Sequence, residues 1–214
     1  MNVRIRPAQA GDLDFLTEVV VLASRSHLAR GVWDIMFPDD EALGRRIVRT
    51  ILAGAQPSWC RRENFLVAEV DGQPAAALSG YWDGWPGMVA PEIAITQAAT
   101  ACGLGEHEIG QAFERLGPFL TCIPEDLGHP WIVEWVATLA PFRRQGLVDR
   151  LLADVLAAGR EQGHPLAQIM ILIGNLPARR AYERGGFVLR DERRTDEFEA
   201  SVGCPGLMRF TMPL

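Results

Sequence analysis

The chain has 214 residues, a formal net charge of -6, and 48% hydrophobic and 22% charged residues, enough to build one substantial core. The acidic balance excludes a general polyanion-binding surface, so neither nucleic acid nor an anionic membrane is an expected partner. No apolar run approaches the roughly 18 residues that cross a bilayer, and the first 16 residues lack the continuous apolar stretch of a leader peptide. Cys60, Cys102, Cys122 and Cys204 lie far apart with no CxxC. They read as reduced thiols of a soluble, cytoplasmic protein.

Residues 3–8 alternate as a short strand, and Gly11-Asp12 opens a helix with Leu13, Leu16, Val20 and Ala23 at helical spacing. A second helix is predicted over 39–54, capped by Asp39 or Asp40, with Leu43, Ile47 and Ile51 facing inward. Residues 64–82 form a hairpin around Asp71-Gly72, a dipeptide suited to positive φ in a tight turn. Residues 83–129 break the order with a Gly/Pro-rich loop and two helices, 91–102 and 105–117, so they read as a helical insertion. From Trp131 the prediction is strand 131–139, helix 146–161, strand 166–173, helix 177–184, strand 186–193 and strand 206–212. The expectation is a mixed α/β sheet covered by helices, in one domain over 1–214.

Helix 146–161 places Val148, Leu151, Leu152 and Val155 on one buried stripe. It therefore begins near Gln145 or Gly146, directly after Arg143 and Arg144. The first amides of a helix lack internal acceptors and carry the positive end of its dipole, which suits a phosphate. Gly146 allows close approach of a ligand to the backbone, and the arginines add forked donors. A basic loop exposed to water is the plainer reading of RRQG alone. GxxxxGK[ST], GxGxxG and GxSxG are all absent, which removes P-loop, dinucleotide and serine-hydrolase readings.

The string RRQGLV resembles the acyl-CoA pyrophosphate loop [QR]-x-x-G-x-[GA] of the GNAT superfamily of acyl-CoA-dependent N-acyltransferases. Arg143 and Gly146 match, while Val148 stands where Gly or Ala is usual. The family's N-x-x-A-x-x-x-Y-x-x-x-G-F pattern is matched in register by Asn175, Ala178, Tyr182, Gly186 and Phe187. The resemblance is specific over 131–187. It implies a GNAT-like, mostly antiparallel twisted sheet of about six or seven strands, with acetyl-CoA as acyl donor and an amine as acceptor. It also implies that Arg143, Arg144, Gln145, Gly146, Leu147 and Val148 hold the pyrophosphate and that Asn175 helps hold the CoA arm, a role that can coexist with the plainer one of capping the helix before Pro177. The backbone of Val136, Ala137 and Thr138 is expected to bond the pantetheine arm.

Acyl transfer from a thioester to an amine needs a base for the amine, whose pKa is about 10.4, and a proton for the departing thiolate. Tyr182 supplies a phenol that stays protonated, and the resemblance places it beside the CoA sulfur as general acid. Glu134 is the only carboxylate in the apolar strand WIVEWVATL, where burial raises its pKa and suits it to act as a base through water. A structural ion pair with an arginine, or an edge position in solvent, is the alternative. Strict alternation puts Ile132, Glu134, Val136 and Thr138 on one face and Trp131, Val133, Trp135 and Ala137 on the other.

Trp33, Asp34, Tyr81 and Trp82 are candidate acceptor contacts, because aromatic faces and carboxylates suit a cationic amine; for any single one of them, an acid capping a helix or a tryptophan packed under the inserted segment is the plainer reading. No metal site is expected, since His27, His107, His129 and His164 are scattered. The insertion suits a lid or a homodimer surface. The expected function is acetyl transfer to a small-molecule amine by direct attack. A protein or peptide amine acetyltransferase and a catalytically silent acyl-CoA-binding module are the alternatives.

Overall fold

The computed structural model describes residues 2–214. Seven strands form one sheet: β1 (Val3–Pro7), β2 (Phe65–Val70), β3 (Gln73–Trp82), β4 (Trp131–Thr138), β5 (Leu166–Leu172), β6 (Val188–Arg194) and β7 (Gly206–Pro213), in the spatial order β1-β2-β3-β4-β5-β7-β6. Every neighbouring pair is antiparallel except β4 and β5, which run parallel. This is the mixed, mostly antiparallel architecture expected from the sequence. The β2–β3 hairpin turns at Asp71 (φ 49°) and Gly72 (φ 85°), the left-handed pair that matches strand twist.

Eight helices cover the two faces: α1 (Leu13–Arg25), α2 (Val32–Met36), α3 (Glu41–Ala53), α4 (Pro91–Ala101), α5 (Glu106–Leu120), α6 (Leu147–Glu161), α7 (Leu176–Arg184) and α8 (Asp196–Val202). On one face, Leu16, Val19 and Val20 of α1 and Ile47, Val48 and Ile51 of α3 pack on Phe65, Val67 and Ala77. The inserted helices join this core through Ile95, Ala98, Ile109, Ala112 and Leu116, so the insertion buries its apolar stripe against its own chain. On the other face, Leu151, Leu152 and Val155 of α6 pack on Leu78, Val133, Ile169 and Phe210. Among the described residues no helix is long and apolar enough to cross a membrane, and all four cysteines are free.

Two helices have no counterpart in the sequence reading. The first, α8, starts at Thr195, whose side chain accepts from the Phe198 amide, and stops at the left-handed Gly203. That cap and stop are legible in TDEFEASVG, but seven residues offer too little periodicity to stand out. The other, α2, is a five-residue turn fixed by Asp34 accepting from the Gly31 amide.

Strand β4 departs from simple alternation. Ser79 pairs with Glu134 but Ala77 pairs with Ala137, so Trp135 and Val136 both stand opposite Leu78. Trp135 takes φ 54°, a conformation that costs a non-glycine residue about 1 kcal/mol or more. The bulge shifts the phase of the strand. Trp131 and Val133 face the α6 side, whereas Trp135 and Ala137 pack on the α1–α3 side. The expectation that these four residues share one face is therefore corrected, and the added residue is the cause.

Candidate active site

The bulge places a split in the sheet. Strands β4 and β5 pair only over Trp131–Val133 and Ala167–Ile169. Beyond this, Glu134 to Thr138 and Met170 to Leu172 line opposite walls of a cavity of about 1220 Å³. A bulge adds local twist and bends its strand, which is why the ladder ends here. The freed edge of β4 offers backbone groups at Val136, Ala137 and Thr138 to a ligand.

One end of the cavity carries a basic turn at a helix start. Arg143, Arg144, Gln145, Gly146, Leu147 and Val148 all line it. Arg144 (φ 63°) and Gly146 (φ 71°) are both left-handed, winding the loop tightly into α6. No side chain caps this helix, so its first-turn amides remain available to an anion. Leu147 itself is core, so only its backbone faces the loop. The Arg143 Nε donates to the Thr138 carbonyl at 3.2 Å, tying the loop to the end of β4. A CoA pyrophosphate fits these groups: uncapped amides and two exposed arginines.

Tyr182 and Asn175 reach the same cavity from α7. Asn175 caps α7 through its Oδ1, which accepts from the Ala178 amide, and its Nδ2 donates to Ser26 Oγ at 2.6 Å. The side chain thus ties α7 to the end of α1, a link that spacing in the sequence did not show. Tyr182 is 5% exposed and packs on Phe187 with ring centroids 6.3 Å apart. Burial pushes its phenol well above the ordinary value, so it stays protonated and serves only as a donor near neutrality.

Glu134 lines the cavity where the split opens. Burial raises its carboxyl from 4.5 to about 7; a hydrogen bond from Tyr81 acts in the opposite sense, and the negative Asp83 adds a further rise. The Tyr81 hydroxyl donates to Glu134 Oε2 at 3.0 Å. No arginine or lysine pairs with Glu134 among the described residues, in contrast to the structural carboxylates Asp12 and Asp34, which Arg6 and Arg25 hold below the usual range. A carboxyl titrating near neutrality beside a cavity has the character of a general base.

The remaining sequence candidates separate. Trp33 and Tyr81 line the cavity, but Asp34 and Trp82 do not. Asp34 is turned to Arg25 at 2.6 Å and caps α2, while Trp82 packs on the α6 side against His164, 5.5 Å between centroids. Adjacent residues of a strand face opposite ways, so Tyr81 and Trp82 could not share one wall. The structure adds Trp59, Trp135, Met36 and Phe119 to that wall. The bulge hid Trp135 from the sequence reading, and Trp59 and Phe119 carry no periodic signal tying them to β4. His129, scattered in sequence, gains Asp83 at 3.0 Å and Asp126 as surface partners.

The acetyltransferase (GNAT) family model matches residues 33–187, and the chain belongs to that family. No curated protein matches the sequence. Among solved structures, an N-acetyltransferase from Staphylococcus aureus Mu50 is 18% identical with a TM-score of 0.65, covering 99% of this chain and 100% of that one. A polyamine N-acetyltransferase of Drosophila melanogaster that forms N-acetylagmatine is 14% identical, with a TM-score of 0.56 and 100% of each chain covered. A chain of the NatC complex bound to Gag peptide and CoA is 11% identical with a TM-score of 0.56, covering 100% of this chain and 99% of that one. At these identities the likeness establishes the fold.

Proposed function

We propose that the protein transfers the acetyl group of acetyl-CoA to the primary amine of a small molecule by direct attack. The observation that carries this reading is the presence of Glu134 and Tyr182 on one continuous cavity, a carboxyl that can take up a proton near neutral pH beside a phenol that can give one. Ionised Glu134 accepts a proton from the ammonium group, directly or through water, and frees the nitrogen lone pair. The nitrogen bonds to the thioester carbonyl carbon, and the exposed amides of β4 polarise the carbonyl oxygen. The carbon–sulfur bond then breaks, Tyr182 gives its proton to the departing sulfur, and the second proton of the amide nitrogen passes to the phenolate through water, restoring the phenol. Arg143, Arg144 and the first amides of α6 hold the pyrophosphate; the β4 edge holds the pantetheine arm.

A thiol-release assay with acetyl-CoA and a panel of amines tests this reading. Amine-dependent CoA release is expected, falling sharply in Glu134→Gln. Tight acetyl-CoA binding with no release across the panel would instead identify a silent acyl-CoA-binding module.

A further inference from the structure

The end of the cavity remote from the α6 start has a composition that selects among amines. Its walls come from α1, α2, the inserted α4 and α5, and the Trp59 loop. Trp33 and Trp135 stand with ring centroids 6.5 Å apart and interplanar angle 31°, and Met36, Ile95 and Leu116 continue the apolar surface. Leu120 and Ile123, 48% and 39% exposed, carry it to the cavity mouth. Two carboxylates line the whole cavity, Glu134 and Asp149. Asp149 belongs to the first turn of α6 and accepts from Arg184 at 3.2 Å, so it serves the phosphate end. The cationic groups lining the α1 side are Arg25, already paired with Asp34 and Glu41, and His27 when protonated.

We infer that the acceptor is a monocationic primary amine on an apolar, aromatic-sized body, its ammonium at Glu134 and its body against the wall of Trp33, Trp135 and the inserted helices. The inference rests on the transfer reading above and narrows its acceptor. A second ammonium or guanidinium would leave water for a wall with no free carboxylate, and a buried charge without a partner is strongly disfavoured. A ring or chain gains from the apolar wall, and the tryptophan faces add attraction for the single ammonium.

The test is calorimetric binding of 2-phenylethylamine, agmatine and spermidine to the CoA-loaded protein at pH 8, with acetyl-CoA turnover measured in parallel. The dissociation constant for 2-phenylethylamine is expected to lie at least about 100-fold below those of agmatine and spermidine. Leu120→Glu, at an exposed position that tolerates a charge, adds a carboxylate at the mouth and is expected to narrow that gap to about 10-fold or less. Equal or tighter binding of either polycation by the parent protein, or no binding of 2-phenylethylamine, overturns the inference. Preferred binding of 2-phenylethylamine without CoA release supports the acceptor class and overturns the transfer reading instead.

Discussion

The Tyr81 hydroxyl and the Glu134 carboxylate, 53 residues apart in the chain, meet at 3.0 Å across the β3–β4 pair. Donation from Tyr81 favours the ionised carboxylate, whereas burial and the negative charge of Asp83 favour the neutral form. Cys60, also beside Glu134, is a buried neutral thiol whose own ionisation is pushed up by burial and by that carboxylate. Replacing Tyr81 by Phe is therefore expected to raise the pH at which the base becomes active, and Asp83→Asn to lower it. The pH dependence of kcat/KM for the two variants checks this. Shifts in the same direction would contradict the assignment of Glu134 as the titrating group.

Glu134→Gln is expected to lower kcat/KM by about 10²- to 10⁴-fold, the usual contribution of a positioned base. In the parent, activity should rise with pH through about 7, since the base must be ionised. The stability consequence has the opposite sign. A carboxyl raised from 4.5 to about 7 favours the fold fully below about 4.5, and this advantage is lost as pH rises through about 7. Glutamine does not ionise, so the variant should gain Tm relative to the parent between pH 5 and 8. A Tm difference independent of pH would show that Glu134 is not held in its neutral form by the fold.

Tyr182→Phe removes one oxygen from a ring that keeps its packing on Phe187. Steady-state kinetics should show kcat reduced about 10- to 100-fold, with acetyl-CoA affinity within about threefold of the parent, because the lost interaction belongs to the departing sulfur. Unchanged turnover would remove Tyr182 from the acid role.

Gly146 separates conformational strain from ligand contact. A Cβ placed there meets no heavy atom within 4 Å in the free protein, but the backbone stands at φ 71°. Gly146→Ala should cost the fold only about 1 kcal/mol, visible in chemical denaturation. The KM for acetyl-CoA should rise about 10-fold or more, since on the proposed reading the methyl group stands where the pyrophosphate approaches the amides. An unchanged KM would show that no ligand comes close to this turn.

Much of the fold was legible because its signals are local. The α6 stripe, the Asp71-Gly72 turn, and the Asn175 cap three residues before Ala178 each involve neighbours within a few positions. Such features follow from the allowed backbone angles and from side chains reaching their own amides. The short α2 and α8 escaped because five and seven residues carry too little periodicity to stand out; partners elsewhere also help hold them, such as Arg25 on Asp34 and Phe198 against Phe119.

The sequence by itself determined the order of the seven strands and of six of the eight helices, the basic turn before α6, and the Asn175–Phe187 motif that carries Tyr182. The tertiary structure alone decided which side chains share the cavity. A bulge in β4 depends on the register of β3, so Trp135 turns toward Trp33 and away from Trp131. Burial of Glu134 and its bond from Tyr81 are sums over several elements, which no local pattern encodes. Backbone propensity acts over a few residues, whereas dielectric environment, strand register and the lining of a cavity are set by the whole packed chain.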